Sequence, residues 1–162
     1  MKPYFESMPV FGRELNAGQI KSAEDNVAQI REIETQLELA AAKVKSAGFP
    51  AEKINARGNM TVYQRLDYLL DPGSWCPLHT LYNPEDNDEG TTNVVDGLGK
   101  ISGKWAVIIG FDNKVLAGAW LPGQAENILR VTNLSKRLNI PLIWLVHCSG
   151  VKLMEQEKFL SL

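Results

Sequence analysis

The sequence predicts an α/β domain, and three observations predict it. Two stretches repeat apolar residues every three or four positions, as amphipathic helices do. From Lys104 onward, short apolar runs and turn residues give the order strand, strand, helix, strand. The closing run "PLIWLV" is apolar throughout, as in a strand covered on both faces. The 162 residues suffice for one domain.

Residues Met1–Gly18 carry two prolines and two glycines among scattered aromatics and read as an extended arm. Ser22–Ala47 reads as the first helix. Val27, Ile30, Ile33, Leu37, Ala41 and Val44 form its apolar stripe, Ser22 is its expected N-cap, and Gly48 with Pro50 ends it. Its Glu- and Lys-rich face reads as solvated. The stretch "MTVYQRLDYLLDPGSW" is a second helix. Thr61 and Gln64 have the spacing of a capping box, Val62, Leu66, Leu69 and Leu70 make the apolar side, and Asp71-Pro72-Gly73 stops it. Cys76–Gly103 lacks clear periodicity and reads as a long ordered loop or short strands around turns. Its acidic run Glu85–Glu89 lacks the spacing of a calcium-binding loop. "WAVIIGF" and "VLAGAW" read as strands separated by Asp112-Asn113. "PGQAENILRVTNLSKRLN" is the third helix, with Pro122 in its first turn, Lys136 and Arg137 at its negative end, and Pro141 preventing continuation.

The bulk properties exclude several classes. A net charge of −2, from 17 basic and 19 acidic residues without a basic cluster, does not point to nucleic acid. No apolar run approaches the roughly 20 residues of a membrane span. "MKPYFESMPVFGRE" lacks the apolar centre of a signal peptide, so the expected location is cytoplasmic. Two cysteines, Cys76 and Cys148, make no disulfide framework. The final "MEQEKFLSL" reads as the first turns of a helix cut short, which suggests a piece of a longer protein.

The stretch "HCSGVKL", His147–Leu153, admits three readings. Cys148 or Ser149 could be a nucleophile served by His147. Neighbouring residues on a strand point to opposite faces, however, and the G-x-S-x-G elbow is absent. Cys76 and His79 have C-x-x-H spacing and could share a metal with His147 and Cys148, although the same face problem limits the second pair. The third reading uses the main chain alone. A helix starting near Val151 would present amides without intrahelical partners, and Gly150 would let a ligand approach them. Such donors suit the oxygen of a thioester becoming an enolate.

"RLDYLLDPGSW" followed by "GKWAVIIGFDNKVLAGAWLPGQAENILRVTNLSKRLNIPLIWLVHCSGVKL" resembles the N-terminal domain of biotin-dependent acyl-CoA carboxyltransferases. The shared features are an R-x-x-x-L-L-D-P-G-S element, a small-residue segment like "AGAW", a helix with Q-A-x-x-I, and a strand running into a Ser-Gly turn. "WCPLHTLYNPEDNDEGTTNVVDGLGKISGKW" resembles the glutaconyl-CoA decarboxylase branch of that family. The resemblance implies a crotonase/ClpP-like spiral of ββα units. It places an N-terminal arm and helix over residues 1–56 and the first part of an acyl-CoA-binding domain over 57–162.

The implied activity moves the carboxyl group of glutaconyl-CoA to biotin on a carrier subunit, leaving crotonyl-CoA. A membrane decarboxylase subunit would then release carbon dioxide and export sodium ions. The implied protein is a homo-oligomer, usually a dimer, peripheral to the inner face of the cell membrane. A propionyl- or methylcrotonyl-CoA carboxylase subunit, or a non-catalytic binding module, are the alternatives. By position, the resemblance makes Val151 the first oxyanion donor, with Gly150 making room, and puts the second donor on a glycine-rich turn beyond Leu162. Ser149, Gly118, Ala119 and Trp120 would border the acyl or pantetheine channel, and Lys152 would meet a CoA phosphate or the substrate carboxylate. No metal is implied. A partial spiral would expose apolar faces that need a partner.

Overall fold

The computed structural model describes residues 14–152. The expected arm up to Arg13 and any helix after Lys152 lie outside the described residues. The chain divides into two units, one ending at Leu39 and one beginning at Ala40.

Helix α1 spans Ala17–Ser46, starting before the expected cap at Ser22. The cap is Asn16. Its side chain accepts from the Gln19 amide at 2.9 Å, while Gln19 Oε1 accepts from the Asn16 amide at 3.0 Å. This is the reciprocal logic of a capping box, carried by Asn and Gln. No residue of α1 is buried.

The second unit continues with α2 (Ala51–Asn55), α3 (Val62–Leu69), β1 (Cys76–Leu78), β2 (Val94–Ile101), β3 (Lys104–Phe111), α4 (Gln124–Leu138) and β4 (Leu142–Leu145). The sheet order is β1-β2-β3-β4. The first three strands pair antiparallel, and β4 lies parallel to β3 after the α4 crossover. The expected capping box of α3 is present, with the Gln64 amide donating to Thr61 Oγ1 at 3.2 Å and the Thr61 amide to Gln64 Oε1 at 2.9 Å.

Strand β3 sorts the core. Val107, Ile109 and Phe111 pack with Val94, Ile128 and Val131 on the α4 side. Ala106 and Ile108 pack with Leu66 and Leu70 on the α3 side. The alternation is that of any strand, and here both faces are apolar because each carries a helix.

Of the two readings of Cys76–Gly103, short strands around turns is the one that holds: β1 and β2 lie there, and the apolar pattern of β2 is broken by Asp96, Gly97 and Gly99. A Cβ on Gly97 would sit 2.4 Å from the Cys76 carbonyl, and one on Gly99 2.7 Å from Leu70, so these glycines mark close packing on a strand. "VLAGAW" is not a strand. Leu116, Ala117 and Gly118 have φ of 45°, 54° and 73°, which coil the chain into a 3-10 turn. Helix α4 begins after Pro122, at a left-handed Gly123, and ends at a left-handed Asn139, two residues before Pro141. Finally, β4 is the edge of the described sheet and, among the described residues, is not covered on both faces, since Trp144 is 43% exposed.

The D-P-G-S element ties α3 to the β2–β3 hairpin. The Asp71 carboxylate accepts from the amides of Ser102 at 2.9 Å and Gly103 at 2.7 Å. Ser74 Oγ accepts from the Lys100 amide at 3.0 Å and donates to the Asp71 carbonyl at 2.7 Å.

Candidate functional site

After β4, residues Val146–Gly150 leave regular structure and run beside the coil of Leu116–Trp120. Ser149 Oγ donates to the Leu116 carbonyl at 3.1 Å. A Cβ on Gly118 would stand 1.9 Å from the His147 carbonyl oxygen, so only glycine lets the two main chains meet there. Trp120 bridges Val151 in parallel fashion. Its amide donates to the Gly150 carbonyl at 2.7 Å, and its carbonyl accepts from the Lys152 amide at 3.2 Å.

That pairing has a directional consequence. In a parallel bridge the central residue of one segment bonds the two residues flanking its opposite number. Trp120 is the bonded residue here, so the amide of Val151 points away from it. Among the described residues that amide has no hydrogen-bond acceptor. The Gly150 amide meets Cys148 Sγ at 3.4 Å, a weak acceptor, and Gly150 has open space where a side chain would stand. The helix expected to start near Val151 does not include Val151 itself, which lies in an extended bridge because Trp120 offers it a strand-like partner; residues after Lys152 lie outside the described residues.

A buried polar frame supports this corner. The Ala119 carbonyl accepts from Asn93 Nδ2 at 2.6 Å and from Gln124 Nε2 at 3.2 Å. Gln124 also donates to Asn93 Oδ1 at 2.6 Å and to the Thr92 carbonyl at 2.8 Å. Asn127, also on α4, donates to Asp96 Oδ2 at 2.8 Å, and His79 Nδ1 lies 2.9 Å from Asp96 Oδ1. Burial pushes the Asp96 carboxyl up from its ordinary value, and the bonds from His79 and Asn127 pull it partly back. Asp112 is likewise raised by burial, opposed by Lys114. The residues Asn93, Asn127 and Asp96 were not singled out from the sequence. Their polarity inside apolar stretches was the available signal, but it does not name partners distant along the chain.

The structure distributes the sequence-predicted residues as follows. Ser149, Gly150, Val151, Gly118, Ala119 and Trp120 come together. The indole of Trp120 turns into the α4-side core, edge-on to Phe111 with ring centroids 6.0 Å apart. Lys152 Nζ pairs with Glu89 Oε1 at 2.9 Å, so an anionic ligand would meet a lysine already engaged by a carboxylate. Glu89 Oε2 is buried and has no partner among the described residues. Cys148 is exposed. His79 is held by Asp96, and no group of three or more His, Cys, Asp or Glu residues converges among the described residues. A cavity of about 370 Å³ opens on the α3 side, lined by Tyr63, Leu66, Leu70, Trp75 and Asp96 among others. None of Gly118–Trp120 or Ser149–Lys152 lines it, so the main-chain corner and this cavity are separate features.

Residues 53–162 match the carboxyl transferase domain. The chain belongs to that family. The carboxyl transferase segment is 44% identical over 158 residues to glutaconyl-CoA decarboxylase subunit alpha of Acidaminococcus fermentans, a match covering 98% of this chain and 26% of that protein. It is 30% identical over 146 residues to the mitochondrial methylcrotonoyl-CoA carboxylase beta chain of Dictyostelium discoideum, covering 82% and 24%. The transcarboxylase 12S structure superposes with a TM-score of 0.70 at 22% identity, over 78% of this chain and 26% of that one. The carboxyl transferase segment therefore spans about a quarter of the length of the curated relatives it matches. The crotonase-like α/β fold expected from the resemblance is the fold these neighbours share. Among the described residues, no helix is long and apolar enough to cross a membrane.

Proposed function

We propose that this segment supplies the acyl-CoA half of a carboxyltransferase site that takes the carboxyl group from glutaconyl-CoA and leaves crotonyl-CoA. The observation that carries the reading is the Val151 amide, directed away from its bridge partner beside the open space at Gly150. Breaking the bond to the γ-carboxylate leaves an electron pair that delocalises to the thioester oxygen. An amide fixed before the reaction stabilises that developing charge without reorganising, and losing one such donor typically costs about 2.7–4 kcal/mol of barrier. Gly150 makes the close approach possible, and the Asn93–Gln124–Ala119 frame holds the opposing chain. Ser149, Gly118, Ala119 and Trp120 border the acyl channel in this reading, and Lys152 exchanges Glu89 for a substrate carboxylate or a CoA phosphate.

Biotin, carried on a partner subunit, is the acceptor of the carboxyl group. Among the described residues the fit is to the thioester oxygen, through the Val151 amide. Residues 57–162 form the first part of the acyl-CoA domain. A membrane decarboxylase subunit, a homo-oligomeric assembly and a peripheral cytoplasmic location complete the proposal. The 44% identity to the glutaconyl-CoA decarboxylase subunit favours this substrate over a methylcrotonyl- or propionyl-CoA alternative.

The test is to incubate the full-length protein with glutaconyl-CoA and free biotin and to follow crotonyl-CoA. Turnover of another acyl-CoA with none from glutaconyl-CoA rejects the substrate. Val151→Pro removes the amide and is expected to lower kcat by roughly 10²–10³-fold. A variant that folds and retains full kcat rejects the main-chain donor.

A further inference from the structure

Helix α1 carries a pattern that carboxyl transfer does not use. Ile20, Ala23, Val27, Ile30, Glu34 and Leu37 succeed one another at alternating steps of three and four, the a and d positions of a heptad repeat. Ile20, Val27, Ile30 and Leu37 are 47%, 47%, 55% and 51% exposed. A helix in water draws most of its stability from covering such a face.

The flanking positions say what covers it. In this frame the e positions are Glu24, Arg31, Glu38 and Lys45, which alternate in sign. None of them forms an ion pair among the described residues, and Lys45 lies over the Tyr63 ring, 5.2 Å from its centroid. The g positions Gln19, Asn26, Ile33 and Ala40 carry no charge. In a parallel helix pair, e faces the g position of the other helix, and these charges would go unused. In an antiparallel pair, e faces e. Turning a second copy end for end sets Arg31 beside the second copy's Glu38 and Glu24 beside its Lys45. The twofold axis repeats both contacts, giving opposite charges at each e–e contact.

We propose that α1 is a self-association surface that pairs antiparallel with α1 of a second copy of this chain, with Arg31 against Glu38 fixing the register. Glu34 then falls in the seam near the twofold axis, where a polar a-position residue restricts register at a cost in stability. The inference is independent of the carboxyl-transfer reading.

Sedimentation equilibrium of the 162-residue chain tests it, with helicity followed by circular dichroism. The expected result is a monomer–dimer equilibrium. Glu38→Arg places arginines together at both symmetry-related contacts and weakens the dimer roughly tenfold. The double variant R31E/E38R recovers the wild-type affinity within about threefold, because opposite charges meet again. If Glu38→Arg loses helicity, Arg31→Glu serves as the single variant. Orientation is read with Cys76→Ser and Cys148→Ser removing the two exposed thiols. Mixed Arg31→Cys and Glu38→Cys chains then form the 31–38 disulfide on oxidation. A chain that stays monomeric up to about 100 µM, a double variant without recovery, or crosslinks joining like with like would each overturn the proposal.

Discussion

Two Ser-Gly dipeptides bend the chain, and they end differently. At Ser102-Gly103 both residues have positive φ, the twist a two-residue hairpin requires, and both amides are taken by the Asp71 carboxylate. At Ser149-Gly150 only the glycine is left-handed, with φ of 117°. There the Gly150 amide meets a thiol, and the next amide, of Val151, meets no acceptor among the described residues. Both glycines have open space beside them. The dipeptide therefore makes the bend in each case, and the supply of acceptors separates a structural turn from a chemical one. An amide already held by a carboxylate cannot stabilise a developing oxyanion.

The sharpest way to break this contrast is Gly118→Ala. The new Cβ would collide with the His147 carbonyl, and φ of 73° strains any side chain, so the second turn loses its support. The expected loss is about 2–4 kcal/mol in urea unfolding. An unchanged midpoint would mean the two segments separate at little cost. Next comes Asp71→Ala, which makes the first turn resemble the second by stripping its acceptor. Hydrogen bonds to a charged group are worth about 1.5–3 kcal/mol each, and in this exposed turn water replaces the lost acceptor and takes each below that range, so about 2 kcal/mol in total is expected. Hydrogen exchange at Ser102 and Gly103 should accelerate; protection that survives would show another acceptor. The smallest effect comes from comparing Gly103→Ala with Gly150→Ala. Each should cost about 1 kcal/mol through its positive φ, since neither Cβ meets an obstacle. Calorimetry with a CoA thioester should separate them, the second weakening binding and the first leaving it alone. Equal binding by both would erase the distinction drawn between the turns.

Much of the architecture was legible where local chemistry decides it. The Thr61–Gln64 capping box, the Asp71-Pro72-Gly73 stop, strand β3 and helix α4 all follow from residues within a few positions of one another. The extent of strand β2 was hidden, because Gly97 and Gly99 are chosen by Trp75 and Leu70, which approach from elsewhere in the chain. A Ser-Gly pair between Ile101 and Lys104 was a usable hairpin signal. The coil at Leu116–Gly118 was illegible for a complementary reason. Its residues favour a strand locally, and the pressure that coils them involves the His147 main chain and the Asn93–Gln124 frame.

The candidate corner divides in the same way. The sequence located the Ser149–Val151 bend and suggested that its main chain would matter, but it proposed a helix start where an extended bridge to Trp120 stands. By itself the sequence determined the α/β class, the helix caps and stops, and the places where the chain must bend, because these rest on propensities and spacings that act over one or two turns. The tertiary structure alone decided which amides find acceptors and which carboxylates are buried, because hydrogen-bond satisfaction depends on partners brought together from distant parts of the chain.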